Sequence, residues 1–196
     1  MRYMVLSDIH GGSNELEQAL SFFQSRHCDA LVLLGDLLNY GPRNLMPDDY
    51  APPKVSEILN RYRHQIMAVR GNCDSEVDQA IFSFPCRASY NYIVMKNNGI
   101  LRKIFITHGH LFDWDTPQQA DRIGLRAGDI VLSGHTHVSG IFTAQSGVIN
   151  VNPGSTTIPK GGTPRGFAIL DEEELTLHRL EGEVLGVLRI FEGTQG

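Results

Sequence analysis

The sequence predicts an α/β fold in which two mixed β-sheets pack face to face with helices on their outer sides, a four-layer αββα sandwich. Two observations lead to this prediction. The first part of the chain alternates short apolar runs with amphipathic segments, which is typical of β-α-β units, and the part after about residue 140 contains mostly β-type runs. Neither a linker nor an internal repeat separates these parts, so we expect residues 1–196 to form a single domain.

Apolar runs and turn residues in the first part predict its strands and helices. Strands are expected at residues 3–7, 30–34, 66–70, 88–95, 101–107 and 129–133, with a turn at Asn97-Asn98-Gly99. Helices are expected at residues 14–26, after the proline-rich loop 39–53, and near 117–127. Asn14 is the expected cap of the first helix, and Glu17 stands where its capping-box partner would be.

The second part predicts a run of strands joined by Gly, Pro and Asn turns. These strands are expected at residues 140–145, 148–152, 166–170, 174–180 and 184–191. His178 falls in one of them, and we expect it on the surface. Two packed mixed sheets accommodate both parts of the chain around one core.

Composition and charge exclude several classes of protein. The formal net charge is −5 without a run of Lys or Arg, whereas a protein that binds nucleic-acid backbones usually carries a basic stripe. No apolar stretch approaches the roughly 20 residues of a membrane helix, and the N-terminal apolar run is too short for a signal-peptide core. Cys28, Cys73 and Cys86 are widely spaced, so we expect reduced thiols in a cytoplasmic protein.

Side chains that bind metal ions cluster directly after predicted strands. In open α/β sheets ligands gather beyond the carboxyl ends of the strands, so these loops should deliver their side chains to one edge. Five of the eight histidines lie in three of these motifs. The motifs are Asp8-Ile9-His10, Gly35-Asp36, Gly71-Asn72-Cys73-Asp74, Thr107-His108-Gly109-His110 and Gly134-His135-Thr136-His137.

The spacing within these motifs suits convergence on a metal. Residues i and i+2 of an extended chain point to the same side, so Asp8 can converge with His10, and His135 with His137. Mixed imidazole and carboxylate ligands favour Mn, Fe or Zn over Mg or Ca. Asp-x-His or Gly-Asp alone is more often an ordinary turn, but the joint occurrence of all the motifs, in order and at strand ends, predicts a metal centre.

At these residues the sequence resembles the calcineurin-like metallophosphoesterase superfamily. The ordered blocks of that family are D-x-H, G-D-x, G-N-H-D/E, an isolated His with Gly, and G-H-x-H; here they read DIH, GDLL, GNCD, THGH and GHTH. NPGS at residues 152–155 extends the match, and details such as GDLLNYGPRN look like the small bacterial YfcE-type phosphodiesterases. The resemblance implies the αββα sandwich and a phosphodiesterase with two divalent cations, Mn²⁺ being favoured over Zn²⁺, Fe²⁺, Ni²⁺ or Co²⁺.

The resemblance also implies which residues bind the cations. In this hypothesis a hydroxide bound by the two metals attacks the phosphorus in line with the leaving group, and the ions neutralise charge on the phosphoryl oxygens. Two of the ligands, Asp36 and Asn72, are assigned the catalytic role as well. The expected ligands are Asp8, His10 and His137 for one cation, Asn72, His108 and His135 for the other, and Asp36 as the bridge between them.

Two positions depart from the family pattern. Asn39 stands where many members have Asp, and Cys73 stands where many have a His thought to contact the phosphate or assist the leaving group. Because a thiol is a poor proton donor, we expect a preference for diesters with good, aryl-type leaving groups. Cys73 and His110 are the candidate substrate contacts, and His110 is also a candidate proton donor.

The sequence leaves other functions open. One is a catalytically weak scaffold of the same fold, although a scaffold should have lost ligand positions and all seven here carry metal-competent side chains. A phosphomonoesterase, a protein phosphatase or a nuclease would use a similar centre, but a nuclease should present a basic groove. The expected partner is a small phosphodiester, without nucleic acid or membrane, and a homo-oligomer is an alternative to a monomer.

Overall fold

Strands and helices alternate along the first part of the structure, a computed structural model that describes residues 1–191. The helices are α1 (Ser13–Ser25), α2 (Pro52–Arg61), α3 (Asp78–Ile81) and α4 (Pro117–Arg122). The strands are β1 (Tyr3–Leu6), β2 (Ala30–Leu33), β3 (Ile66–Ala68), β4 (Tyr90–Asn97), β5 (Ile100–Thr107), β6 (Ile130–Leu132), β7 (Gly140–Thr143), β8 (Ile149–Asn152), β9 (Gly166–Leu170), β10 (Glu174–Arg179) and β11 (Val184–Arg189).

Both sheets are mixed, and each contains three neighbouring parallel strands. The six-stranded sheet has the order β11-β10-β9-β1-β2-β3, in which β1, β2 and β3 are parallel. The five-stranded sheet has the order β4-β5-β6-β8-β7, in which β5, β6 and β8 are parallel. Each sheet therefore directs the carboxyl ends of three strands to one edge, where the metal-binding motifs follow them.

Three apolar layers hold these elements together. The central layer lies between the sheets and includes the fully buried Val5 and Val32 of one sheet and Ile104 and Leu132 of the other. α1 and α2 pack on the other face of the six-stranded sheet, and α4 contributes Ala120 to the outer layer on the five-stranded sheet. The order of layers is thus helix, sheet, sheet, helix, which confirms the predicted αββα sandwich.

Most predicted elements are present with ends that differ by a few residues. The β4–β5 hairpin turns at Asn98 and Gly99, which have φ values of 48° and 80°, as the Asn-Gly turn predicted. α4 ends at Arg122 instead of near residue 127, because Gly124 adopts a φ of 70° and ends the helical path. The single turn of α3 was not predicted. Within residues 1–191, none of the helices has the length and apolarity needed to cross a bilayer.

The predicted cap of α1 is wrong. The helix begins at Ser13 with Gly12 in the N-cap position, and no side chain of that position caps it. Instead, the backbone N–H of Asn14 donates to a carboxylate oxygen of Asp49 at 2.6 Å. A residue distant in sequence thus provides the acceptor that local capping patterns expect from the helix itself.

His178 is also not where the sequence predicted it. Only 4% of its surface is exposed, because its ring stacks on Phe167 with 5.0 Å between the ring centroids. Its Nε2 lies 2.8 Å from the hydroxyl of Thr176, and a register shift between Leu177 and His178 accompanies this arrangement in β10. His178 is therefore a packed core residue of the six-stranded sheet.

Candidate metal centre

Strand ends of both sheets bring the metal-binding motifs together. β1, β2 and β3 lead into the loops that carry Asp8, Asp36 and Asn72. β5 and β6, from the opposite sheet, lead into the loops that carry His108 and His135. Contacts between these side chains bring the five loops together at one edge of the sandwich.

Several of these residues have an uncommon backbone conformation. Seven residues other than glycine have a positive φ within residues 1–191, and five of them belong to the predicted ligand motifs. Such conformations cost roughly 1–3 kcal/mol each and are typical of functional sites. Left-handed turns, not the extended chain that the spacing suggested, therefore orient these side chains. The five are Asp8 (52°), His10 (47°), Asp36 (55°), His135 (68°) and His137 (59°).

Asp8, His10 and His137 form one buried cluster. Oδ1 of Asp8 lies 3.6 Å from Nε2 of His10 and 3.3 Å from Nε2 of His137, and the two nitrogens are 3.2 Å apart. This carboxylate oxygen has no hydrogen-bond partner among the described residues. One oxygen and two ring nitrogens that face each other without a shared proton donor are suited to a cation.

Asp36 connects this cluster to a second group of side chains. Its Oδ2 lies 3.8 Å from Nε2 of His10 and 3.4 Å from Nε2 of His108. Nε2 of His108 lies in turn 3.1 Å from Oδ1 of Asn72. Asp36 thus stands between the two groups, in a position from which one carboxylate can contact two ions.

His135 and His110 lie beside His108. The ring centroid of His108 is 5.2 Å from that of His135 and 5.2 Å from that of His110. Burial and the charge of His108 lower the pKa of both neighbouring rings. His135 and His137, which are two residues apart in the sequence, therefore join different groups of the centre.

Backbone carbonyl groups fix the three most buried imidazole rings. A carbonyl oxygen only accepts hydrogen bonds, so Nδ1 of each ring carries a hydrogen and Nε2 is directed to the centre. Such bonds orient metal-binding histidines and select their tautomer. The distances from Nδ1 to the carbonyl oxygen are 2.6 Å for His10 to Asn39, 2.7 Å for His108 to Leu34 and 2.7 Å for His137 to Ile158.

The carboxylate of Asp74 organises the loops around Asp36. It accepts hydrogen bonds from the backbone N–H groups of Gly71 at 2.7 Å, Asp36 at 2.8 Å and Leu37 at 2.8 Å. The backbone N–H of Cys73 donates to Oδ1 of Asp36 at 2.7 Å. A side chain at Gly71 would collide with Asp36, so the close approach of the two loops requires glycine there. Asp74 is therefore a positioning residue.

The segment at residues 152–157 supports the loops from β8. Oγ of Ser155 donates to the carbonyl of Asp8 at 2.6 Å, and Oγ1 of Thr157 donates to the carbonyl of Ile9 at 2.8 Å. The Asn152 amide donates to the carbonyl of Gly134 at 2.8 Å. From the sequence alone, this segment was singled out only through its resemblance to the family. Its signal was a group of small hydroxyl residues directly after a strand.

Charges in the centre shift the pKa values of its groups. Burial opposes ionisation of Asp8, but His10 and His137 outweigh it and hold the pKa of Asp8 below its usual value. Burial likewise opposes ionisation of Asp36, and His108 lowers its pKa. Burial alone would lower the pKa of His108, yet Asp36 and Asp8 raise it to about 9. In the metal-free protein, a proton on His108 thus compensates part of the carboxylate charge.

An open cleft of about 470 Å³ leads to this centre. Cys73 lines it, whereas His110 does not contribute to its wall. Burial and the negative charge of Asp36 raise the pKa of the Cys73 thiol to about 12, so the thiol is protonated at neutral pH. This argues against Cys73 as a covalent nucleophile. The other lining residues are Asp36, Asn39, Gly41, Pro42, Arg43, Asn44, Asn72, His135, His137 and Lys160.

Comparison of the sequence with protein families gives a match over most of the chain. Residues 1–175 match the family model described as the calcineurin-like phosphoesterase superfamily domain. Phosphodiesterase YfcE of Escherichia coli strain K12 is 40% identical over 183 residues, which cover 93% of this chain and 94% of that protein. The probable metallophosphoesterase YsnB of Bacillus subtilis strain 168 is 26% identical, with 88% of this chain and 85% of YsnB covered.

Solved structures show the same architecture. The structure of the phosphoesterase YfcE from E. coli superimposes with a TM-score of 0.86 at 39% identity and covers 97% of this chain and 100% of that one. An archaeal phosphodiesterase superimposes with a TM-score of 0.57 at 21% identity and covers 96% of this chain and 99% of the other. At that identity the second likeness concerns the fold alone.

We predict that Asp74→Asn will weaken metal binding while the protein remains folded. An amide directs one oxygen and one NH₂ group where the carboxylate accepts three backbone N–H bonds, so the loop of Asp36 should lose its fixed position. Loss of such a supporting group typically costs about 10–100-fold in metal affinity. Calorimetric titration with Mn²⁺ measures the metal affinity, and Asp48→Asn, at an exposed position, is the matched control. Equal affinities of the two variants would contradict the role of Asp74.

Proposed function

The chain belongs to the calcineurin-like phosphoesterase superfamily, and from this membership we propose that it hydrolyses small phosphodiesters at a centre of two divalent cations. The membership confirms the resemblance that the motifs indicated, and the chain is a metallophosphoesterase. The observation that carries the proposal is the buried cluster of Asp8, His10 and His137, whose ligand atoms face one another. Intact ligand positions also speak against a catalytically weak scaffold.

The proposed ligands are those that the family motifs predicted. Two features of the chain fit a cation: the buried Oδ1 of Asp8 has no partner among the described residues, and carbonyl groups hold the Nε2 atoms toward the centre. This mixture of imidazole, carboxylate and amide ligands supports Mn²⁺ as the first choice over Mg²⁺. We assign Asp8, His10 and His137 to one ion, Asn72, His108 and His135 to the other, and Asp36 to both.

The chain itself supplies orientation for this chemistry. When bound, two divalent cations lower the pKa of water and neutralise charge on phosphoryl oxygens. Cys73 occupies one oxygen of Asp36 through its backbone N–H, which leaves Oδ2 turned to His10 and His108. Asn72 and His135 are ligands that also line the cleft, so a phosphate that enters it meets the proposed centre directly.

The proposed substrate is a diester with a good leaving group. The relative from E. coli is named a phosphodiesterase, which favours a diester over a monoester. A thiol with a pKa of about 12 protonates a leaving oxygen poorly, which favours aryl esters. Comparison of bis(p-nitrophenyl) phosphate with p-nitrophenyl phosphate tests the first point. A cytoplasmic location stays part of the proposal, and the free thiols of Cys28, Cys73 and Cys86 agree with a reducing compartment.

We predict that Asp36→Asn will abolish hydrolysis and reduce bound metal. An amide is a poorer bridge between two cations than a carboxylate, because it carries no charge and offers one oxygen. Activity on bis(p-nitrophenyl) phosphate and the metal content per chain measure the two effects. Asp121→Asn, an exposed position on α4, removes the same charge and should leave both unchanged. Full activity of Asp36→Asn with two metals per chain would remove Asp36 from this role.

Removal of metal by a chelator should inactivate the protein without unfolding it. The core between the sheets does not depend on the centre, so far-UV circular dichroism should persist. Activity should return with Mn²⁺ at lower concentration than with Mg²⁺. A cation must displace the proton of His108, whose pKa is about 9 without metal, and despite burial Asp8 also raises the pKa of His10. Mn²⁺ affinity should therefore rise by at least about tenfold per pH unit near neutral pH. Unchanged hydrolysis after verified metal removal would contradict a metal-dependent reaction.

Replacement of Cys73 by His should improve hydrolysis of diesters with poor leaving groups more than that of aryl diesters. An imidazolium can protonate a departing alkoxide, and general acids typically contribute about 10²–10⁴-fold. The measurement is the ratio of kcat/KM for an alkyl and an aryl diester. Cys73→Ser preserves the size of the side chain without adding a proton donor of suitable pKa, so its ratio should stay at the wild-type value. If Cys73→His also keeps the wild-type ratio of kcat/KM values, Cys73 does not limit the substrate range, and the shape of the cleft does.

A further inference from the structure

Two positively charged side chains, Arg43 and Lys160, line the cleft that leads to the candidate metal centre. Arg43 lies on the loop between β2 and α2, and Lys160 lies on the loop between β8 and β9. Both residues are exposed, and neither side chain forms a salt bridge or hydrogen bond with another residue of the described chain. Several other arginines have such partners; Arg165, for example, pairs with Glu15 at 2.7 Å.

The backbone of Lys160 is attached to a proposed ligand. Its N–H donates to the carbonyl of His137 at 3.0 Å. Its own carbonyl accepts from the backbone N–H of Thr163 at 3.1 Å and from the Thr163 hydroxyl at 2.9 Å. These bonds fix the point from which the Lys160 side chain extends, so its ammonium group stays within reach of whatever occupies the cleft.

The turn that carries Arg43 is attached to the other side of the centre. The side-chain amide of Asn44 donates to the carbonyl of Tyr40 at 2.6 Å and closes the turn. The carbonyl of Asn39 accepts from Nδ1 of His10 at 2.6 Å, which connects the start of the turn to a proposed ligand. Arg43 and Lys160 thus extend from two separately anchored loops into the same cleft.

The cleft contains little negative charge that could neutralise these groups. Among the described residues that line the cleft, Asp36 is the one carboxylate, and it belongs to the proposed metal centre. Asn39, Asn44 and Asn72 add only neutral amides. The net charge of the chain is −5, so two cations without an ion-pair partner within residues 1–191 are opposite in sign to the overall charge. Guanidinium and ammonium groups in such a position are suited to bind phosphate or carboxylate.

The reacting phosphodiester does not account for both of these cations. A diester of two uncharged alcohols carries one negative charge, and that charge belongs to the phosphate that the metal centre binds. With such a substrate, Arg43 and Lys160 would have no second anionic group to bind. A further anionic group on the substrate would give them a partner within the cleft.

We propose that the enzyme acts on phosphodiesters in which one alcohol carries a second anionic group, and that Arg43 and Lys160 bind this group. The inference rests on the proposed phosphodiesterase function and adds a substrate class to it. The second anion is a phosphate or a carboxylate, since both match the hydrogen-bond geometry of a guanidinium group. The two side chains determine specificity and take no part in the bond-breaking step.

Three diesters with the same p-nitrophenyl leaving group test this proposal. Propyl p-nitrophenyl phosphate has an uncharged alcohol, its 2-carboxyethyl analogue carries a carboxylate, and its 3-phosphooxypropyl analogue carries a second phosphate. The reacting phosphate and the leaving group are the same in all three. Release of p-nitrophenolate by the Mn²⁺-loaded enzyme therefore reports the effect of the distal anion, and the two anionic probes show which anion is preferred.

For the wild type, kcat/KM should be about tenfold higher for at least one anionic probe than for the propyl diester. Arg43→Gln and Lys160→Gln should each reduce this advantage by about three- to fivefold, so that kcat/KM falls more for the anionic probe than for the propyl diester. Arg63→Gln, at an exposed position after α2, changes the net charge by the same amount and should retain the wild-type advantage.

Equal kcat/KM values of the wild type for the three probes would overturn the proposal. An equal decrease of kcat/KM for all three probes in Arg43→Gln and Lys160→Gln would also overturn it, because the two side chains would then attract anions to the cleft in general. Failure of the Mn²⁺-loaded wild type to hydrolyse all three probes would instead overturn the phosphodiesterase function, and this inference with it.

Discussion

The carboxylates of Asp8 and Asp36 are buried in the same small space at the ends of neighbouring parallel strands. A negative charge away from water is costly, and two of them also repel each other, so the surroundings have to supply positive charge. In the metal-free protein the imidazole groups do so, as the raised pKa of His108 indicates. Divalent cations would satisfy the same requirement more completely. The loops around the centre are arranged to keep these charges together.

Both sheets are needed for that arrangement. Asp8 and Asp36 follow strands of the six-stranded sheet, whereas His108 and His137 follow strands of the five-stranded sheet. The distance between these two sets of ligands is therefore set by the apolar layer between the sheets. Because protein interiors are closely packed, a change of volume at a residue such as Ile104 would alter this distance as well as stability. The core of the sandwich thus acts on the centre through the distance between the two sheets.

The sequence was informative where local chemistry determines structure. The apolar strand at residues 30–34 and the turn at Asn98 and Gly99 could be predicted because period and turn residues are local properties. The left-handed conformation of Asp8 could not, because aspartate seldom adopts it without support from the rest of the fold. The hydrogen bond from His10 to the Asn39 carbonyl could not be predicted either, since every residue has a backbone carbonyl. His178 was misplaced because its burial depends on stacking between strands distant in sequence.

The chemistry and the selection of substrate are carried by different parts of the same loops. The backbone carbonyl of Asn39 accepts from His10, and the backbone N–H of Lys160 donates to the carbonyl of His137. These backbone bonds support the proposed ligands and do not depend on the side chains of Asn39 and Lys160. The side chains of Arg43 and Lys160 extend into the cleft and support none of these bonds. Substitutions there can therefore change which diester is bound while the metal centre stays intact. Cys73 is different, because its backbone positions Asp36 while its thiol faces the cleft, so one residue affects both properties.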